Sequence, residues 1–234
     1  MNRTISILCT GHLPAHVADE ATASGKVRLD VIPFIDITHV DSYDMTAHIS
    51  ELAAKDLNAV FTSSNGVEAV AAMLGGKDTK WKIFCLGNKT KNTVYQYFDK
   101  NKILSECDNA QQLADMLIGL RVKDVTFFCG DSRMDILPHA LAGAGVKVEE
   151  LVVYNTTETP HVISTGYDGV LFFSPSAVRS FFSVNTLGAD AVLFAIGDTT
   201  AAEIMRYSKA KIIISPSPSK EEMINDVVNY FFIK

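Results

Sequence analysis

The sequence predicts an α/β fold made of two similar domains, each a parallel sheet flanked by helices. Two observations lead to this prediction. Short apolar runs typical of buried strands alternate along the chain with segments of helical period. The pattern of the first half then returns in the second half at a separation of about 110 residues. A repeat of this kind favours two copies of one domain.

The repeated unit is clearest in the stretch Gly169–Ser183. Val170–Phe173 is a short apolar run that predicts a buried strand. Ser174-Pro175 is a typical helix start, because serine caps a helix and proline suits its first turn. Ala59–Ala72 repeats the pattern, with Ser63 in the place of Ser174. A helix that starts directly after a strand favours anion binding, although an ordinary capped helix has the same pattern.

In the first half, a strand is predicted at Thr4–Cys9 and a helix near His16–Ser24. The long extended stretch Val27–Ile37 contains Pro33, which predicts an edge strand or a connection because proline cannot donate to a ladder. A helix near Met45–Lys55 leads into three βα units. The strands of these units are predicted at Ala59–Thr62, Lys82–Leu86 and Ile103–Ser105.

The second half begins with a predicted strand at Val125–Cys129 and a helix over Ser132–Leu141. Val146–Tyr154 is extended like its counterpart in the first half. Asn155–Asp168 is a polar, threonine-rich segment typical of a crossover or linker. Three further βα units are predicted to close the chain.

The order of these parts allows two domain assemblies. Each extended unit could pair with the βα units that follow it, which would give two domains in succession. Alternatively, the two middle parts could form one domain while the two chain ends fold together. The stretches near Val31–Ile37 and Leu151–Thr157 would then be a two-stranded crossing between the domains.

Composition limits the possible functions of the chain. Its 234 residues are 47% hydrophobic and 21% charged, which is typical of a globular chain with hydrophobic cores. The net charge of −6 and the lack of a lysine or arginine run argue against nucleic acid as a partner. No apolar segment has the length of a signal peptide or a membrane span. The four cysteines form no C-x-x-C pair, which favours reduced thiols in the cytoplasm.

Turns at the carboxyl ends of the predicted strands favour the binding of a polyanion. Ligands of open α/β sheets bind at this edge, and these turns are small, rich in hydroxyl groups and often contain glycine. Backbone N–H groups and hydroxyls can hold carboxylates or phosphates without a general positive charge. Arg133 could either clamp a carboxylate or form a surface salt bridge. The candidate binding residues are Ser63, Ser64, Asn88, Thr90, Ser132, Arg133, Ser174, Ser176, Thr199 and Thr200.

The motifs of several other enzyme classes are absent from the sequence. There is no G-x-G-x-x-G after the first strand, no P-loop and no G-x-S-x-G elbow. His12 and His16 are four residues apart, but no further ligands accompany them. Neither a dinucleotide site nor a metal site is therefore predicted.

Four segments together resemble the uroporphyrinogen-III synthase family: TSSNGVEAV, CGDSRMDILPHALAGAGVKVEELVVYNT, VLFFSPSAVRSFF and AIGDTTA. The resemblance extends from about Asn58 to the C-terminus. It implies two α/β domains joined by a two-stranded ladder, with the first domain built from both chain ends. The expected domains are residues 1–35 with 157–234, and residues 36–156 inserted between them.

The resemblance also implies an activity and a catalytic residue. Members of the family convert the linear tetrapyrrole hydroxymethylbilane, with loss of water, inversion of the last pyrrole ring and closure of the macrocycle, and they use no cofactor. Such an enzyme would act mainly by positioning a reactive substrate. Tyr154 is the residue implied to assist the loss of the hydroxyl group.

Two other classes of function remain open at this point. The chain could be an enzyme that acts on another polyanionic small molecule, or an anion-binding module without catalytic activity. For the synthase interpretation, the expected partner is the tetrapyrrole alone. The chain is then expected to act as a cytoplasmic monomer without membrane or nucleic-acid partners.

Overall fold

The computed structural model describes residues 3–87, 89–188, 190–217 and 219–232, apart from the side chains of residues 105 and 106. The chain divides into two compact units. Met1–Asp36 and Thr157–Lys234 form the first, which we call the end unit, and Ile37–Thr156 form the second, the inserted unit. Each contains a sheet flanked by helices, so the predicted α/β class is confirmed.

The secondary-structure elements are as follows. The strands are β1 Ile5–Cys9, β2 Val27–Val31, β3 Ile35–His39, β4 Asn58–Phe61, β5 Lys82–Leu86, β6 Ile103–Cys107, β7 Asp124–Gly130, β8 Lys147–Glu158, β9 Gly169–Phe172, β10 Val192–Ala195 and β11 Ile212–Ile214. The helices are α1 Ala15–Thr22, α2 Tyr43–Ala53, α3 Ser64–Leu74, α4 Lys89–Tyr97, α5 Ala110–Gly119, α6 Ile136–Gly143, α7 Pro175–Phe182, α8 Asp198–Met205 and α9 Lys220–Phe232. None of the helices in the described ranges has the length and apolar character that a membrane crossing requires.

The sheet of the end unit has the strand order β11-β10-β9-β1-β2, and its neighbouring strands are parallel. An aromatic cluster packs between this sheet and α7. The ring of Phe181 lies 5.1 Å from that of Phe34 and 5.4 Å from that of Phe172, and all three side chains are fully buried. Burial of rings of this size stabilises the β9–α7 unit and holds the turn between them in place.

The sheet of the inserted unit has the order β3-β8-β7-β4-β5-β6. Phe128 of β7 stacks on Phe61 at 5.1 Å and on Trp81 at 5.2 Å. The Trp81 indole donates its N–H to the Leu52 carbonyl at 2.8 Å, so its polar atom is satisfied inside the core. This core fixes the strands whose carboxyl ends carry the candidate site.

Strands β3 and β8 are neighbours, and each continues from one unit into the other. The Val40 N–H donates to the Val153 carbonyl, and the Thr159 N–H donates to the Phe34 carbonyl, both at 2.9 Å. This register makes the two strands antiparallel. Pro33 lies between β2 and β3, where no ladder requires its missing N–H.

Two elements differ from the prediction. Helix α6 begins at Ile136, not at Ser132. A helix from Ser132 would place Pro138 in its interior, where the ring clashes with the preceding turn, whereas the observed start places Pro138 in the first turn. Strand β8 continues to Glu158, so the first residues of the predicted linker are extended and paired with β3. Their threonines suit a strand.

Candidate active site

Tyr154 lies against the carboxyl end of β7. The register of β7 and β8 shifts between Cys129 and Gly130, and this irregularity places Gly130 opposite Tyr154. A Cβ atom on Gly130 would lie 2.5 Å from Cε2 and Cζ of the Tyr154 ring and 2.8 Å from its hydroxyl oxygen. Contacts this short are not possible for a side chain, so only glycine allows the ring to lie over the strand end.

Ser63 joins Tyr154 at this edge of the sheet. It is the N-cap of α3, where its Oγ accepts a hydrogen bond from the Asn65 N–H at 3.2 Å. Its side chain also lies near the Tyr154 hydroxyl and lowers the pKa of that phenol. Gly66 lets α3 lie close to β7, because a Cβ at this position would be 3.1 Å from the Phe128 carbonyl oxygen. A strand end, a helix start and a neighbouring strand therefore bring two hydroxyls together.

The environment of Tyr154 keeps its phenol protonated. Burial raises the pKa of Tyr154 above its usual value of 10. The Ser63 side chain lowers this pKa, and the nearby Cys129 and Asp131 raise it. The phenol is therefore in its proton-donating form at neutral pH, and it can donate to a leaving group or to an anion.

Asp131 fixes the backbone around Tyr154. Its N–H donates to the Tyr154 carbonyl at 3.2 Å, and its Oδ1 accepts a hydrogen bond from the Thr156 N–H at 2.9 Å. Both contacts join the end of β7 to β8. The position of the Tyr154 ring is thus set by its strand as well as by the space above Gly130.

Arg133 forms the salt bridges that the sequence left open as one of its two possible roles. Its guanidinium donates to the carboxylates of Asp135 and Glu150. These contacts, that with Glu150 first, raise the pKa of Arg133. Ser132 is exposed in the same turn and does not start a helix. Since two carboxylates already hold the guanidinium, binding a third would require breaking at least one of these pairs.

Two other candidate residues of the inserted unit lie at the starts of helices. Ser64 is the first residue of α3 and is buried. Thr90 is buried near the start of α4. Asn88 lies outside the described residues. Ser63 is therefore the candidate binding residue that the structure brings to Tyr154.

In the end unit, the candidates lie at the adjacent carboxyl ends of β9 and β10. Ser174 caps α7, where its Oγ accepts from the Ala177 N–H at 3.1 Å. Ser176 lies in the first turn of α7, and its Oγ accepts a hydrogen bond from Arg179 at 3.2 Å. Thr199 is exposed and Thr200 is buried in the first turn of α8. This edge of the end unit carries several donors around two helix starts.

Gly130 was missed as a functional residue, although the internal repeat carries a signal for it. Gly130 and Tyr154 correspond in the repeat to Thr10 and Phe34. The Phe34 N–H donates to the Thr10 carbonyl at 3.1 Å, and the Phe34 ring is fully buried. The second copy thus replaces a threonine by glycine and a buried phenylalanine by a half-buried tyrosine. Together these changes indicate a ring moved toward the strand end.

Among the residues that the structure describes, no group of three or more His, Cys, Asp or Glu side chains could hold a metal ion. The site of Tyr154 contains hydroxyls, glycines and backbone groups, with the Asp131 carboxylate and the Cys129 thiol nearby. Hydroxyls and backbone N–H groups can donate hydrogen bonds to anions and orient a ligand.

Two serine caps provide a matched test of this site. Replacing Ser63 or Ser174 by alanine should lower the free energy of unfolding by about 1 kcal/mol in each case, because each removes an N-cap. The Ser63→Ala variant should also slow turnover by about two- to ten-fold, since Tyr154 loses the polar group that lowers its pKa. The measurements are thermal melts and initial rates. An equal loss of rate in both variants would mean that the position of Ser63 beside Tyr154 has no special role, since both serines cap helices and both are candidate ligand donors.

Comparison with known proteins relates the chain to one family. The family model described as uroporphyrinogen-III synthase HemD matches residues 17–225. The uroporphyrinogen-III synthase of Saccharomyces cerevisiae is 24% identical over 212 residues, with 77% of this chain and 74% of that protein covered.

Solved structures share the fold. A mutant uroporphyrinogen III synthase from Thermus thermophilus matches with a TM-score of 0.68 at 14% identity, covering 98% of this chain and 100% of that chain. The uroporphyrinogen-III synthetase of Helicobacter pylori matches with a TM-score of 0.65 at 14% identity, covering 97% and 99% of the respective chains. At these identities the likeness shows the fold alone.

Proposed function

Because the chain belongs to the uroporphyrinogen-III synthase family, we propose that it converts hydroxymethylbilane into uroporphyrinogen III in haem biosynthesis. The observation that supports this proposal most directly is the Tyr154 hydroxyl, which lies near Ser63 and has room because residue 130 is glycine. A protonated phenol at the carboxyl edge of a sheet is suited to a reaction that begins with the departure of a hydroxyl group.

The first chemical step is the loss of water. Tyr154 donates its proton to the hydroxyl of the substrate's hydroxymethyl group as the C–O bond breaks. The pyrrole nitrogen stabilises the positive charge on the methylene carbon that remains. Because this substrate readily loses its hydroxyl group, a weak acid held in the correct place is sufficient.

The remaining steps rearrange carbon–carbon bonds. The substituted α-carbon of the last ring attacks the methylene carbon and forms a spiro intermediate. One bond of that intermediate breaks and re-forms at the other α-carbon, which inverts the ring and closes the macrocycle. The proton lost from the last ring restores the Tyr154 phenol, so the net change is the loss of one water. No electrons are gained or lost, and the reaction is therefore proposed to proceed without a cofactor, as that of a cyclising hydro-lyase.

Hydroxyl and backbone donors beside helix starts would hold acetate and propionate groups of the substrate. Ser63 in the inserted unit, and Ser174 and Thr199 in the end unit, lie at the carboxyl ends of their sheets beside helix starts. Backbone N–H groups at these turns would share the task. A flexible linear tetrapyrrole that is held at several of its carboxylates can no longer adopt the conformations that lead to other products.

The deciding experiment mixes purified protein with freshly made hydroxymethylbilane and resolves the porphyrin isomers after oxidation. The proposal expects predominantly the type III isomer at a rate that scales with the protein concentration. Type I isomer at the rate of the blank would contradict it and would favour an anion-binding module. A heat-denatured sample of the same protein serves as the control.

A further inference from the structure

Arg179 lies in the middle of α7 and is directed back toward the start of that helix. Its Nη2 donates to the Ser176 Oγ at 3.2 Å. Ser176 precedes it by one turn and follows the cap residue Ser174. The guanidinium therefore extends toward the turn where carboxylate-binding donors are proposed. Arg179 was not among the residues selected from the sequence.

Two glutamates of the end unit flank this guanidinium, and they differ in burial. Glu203 has a side chain that is 10% exposed, and its Oε1 lies 3.9 Å from the Arg179 Nη1. Glu158 has a side chain that is 41% exposed, and its Oε1 accepts a hydrogen bond from the Arg179 Nε at 3.3 Å. Glu203 is the inner neighbour of the guanidinium, and Glu158 is its outer, solvent-exposed partner.

The inner glutamate is held by a second arginine. Arg206 donates from Nη1 to the Glu203 Oε2 at 3.1 Å. The Glu203 Oε1 has no hydrogen-bond partner among the described residues. The Arg179 guanidinium, 3.9 Å from this oxygen, adds a second positive charge beside that of Arg206, which favours a buried carboxylate. Glu203 thereby keeps the Arg179 guanidinium in place.

The outer glutamate is easily replaced. An exposed ion pair with one long hydrogen bond contributes little to stability, because water competes for both charges. A carboxylate of a bound ligand could take the place of Glu158 at little cost. A guanidinium can then donate two parallel hydrogen bonds to it, which a single contact at Nε does not achieve.

We propose that Arg179 binds a carboxylate of the substrate, and that Glu158 occupies this guanidinium until the substrate replaces it. This inference rests on the proposed function, in which the substrate carries eight carboxylates. Arg133 differs from Arg179 in this respect, since two carboxylates both accept hydrogen bonds from its guanidinium. Arg179 is thus a binding and specificity residue, and Glu158 acts as a competing group within the chain.

The two substitutions should act in opposite directions. In Arg179→Gln, KM for hydroxymethylbilane should rise about 10- to 100-fold, with kcat changing less, because a charge-assisted contact is lost. In Glu158→Gln, KM should fall about two- to five-fold, because the competitor no longer carries a charge. Arg28→Gln is the control, since Arg28 belongs to the same unit and pairs with half-buried Asp30 at 3.5 Å. Its KM should not change.

Direct binding provides a second measurement. Oxidised product, uroporphyrin III, should bind Arg179→Gln more weakly than wild type and Glu158→Gln more tightly, and its octamethyl ester should not distinguish the three proteins. If Arg179→Gln does not fold, Arg179→Lys keeps the charge and should show a smaller rise in KM. An unchanged KM in a folded Arg179 variant, or a rise in KM in Glu158→Gln, would overturn the inference. Wild-type synthesis of the type III isomer would show that the proposed function still holds.

Discussion

Replacing Tyr154 by phenylalanine should slow formation of the type III isomer by roughly ten- to a thousand-fold. The ring, which packs over Gly130 and beside Gly66, is retained, so the fold should change little. Only the hydroxyl and its interaction with the nearby Ser63 side chain are lost. The type III isomer should remain the enzymatic product, because the carboxylate-binding donors still position the linear tetrapyrrole.

Initial rates of type III formation, measured beside thermal melts, test this expectation. The pH dependence of the rate provides a second test, because the pKa of Tyr154 is raised. Ionisation of this phenol would remove the proton donor only above pH 10, so it should cause no loss of rate between pH 7 and pH 9. A Tyr154→Phe protein with wild-type rate and stability would show that Tyr154 is only a packing aromatic.

Replacing Gly130 by alanine should reduce the rate about as much as removal of the Tyr154 hydroxyl. The new methyl group would lie 2.5 Å from the ring, so the ring must rotate away from β7 and from Ser63. The ring is half-buried and its end can move, so we expect a loss of about 1–3 kcal/mol in unfolding free energy rather than failure to fold.

Gly143→Ala is the matched control for this substitution. A Cβ on Gly143 would meet no atom within 4 Å, and this glycine ends helix α6. The control should leave the rate unchanged and should stabilise the protein by about 0.5–1 kcal/mol. The double variant Gly130→Ala with Tyr154→Phe should be clearly faster than the product of the two single losses of rate, because both substitutions act through the same hydroxyl. Strictly multiplicative losses of rate would refute this coupling.

Sequence patterns did not predict the start of α6, which contains Pro138, or the end of β8. Pro138 excludes a helix that starts at Ser132, because proline is not tolerated in a helix interior. This conclusion was accessible from the sequence. The end of β8 was harder to predict from the sequence, because polar threonines occur both in linkers and in strands. Only a neighbouring strand decides between the two. Strand β3 is that neighbour, and it comes from a segment more than a hundred residues away.

The sequence by itself determined the α/β class, the caps Ser63 and Ser174, and the family. These features depend on residues that are near neighbours in the chain, where helical period, capping and apolar runs act. Only the tertiary structure decided which side chains meet. Tyr154 reaches Ser63 because β8, β7 and α3 are adjacent in the folded unit and the register shifts at Gly130. Likewise, the ion-pair partners of an arginine depend on the fold, because its long side chain can reach carboxylates that are distant in the sequence.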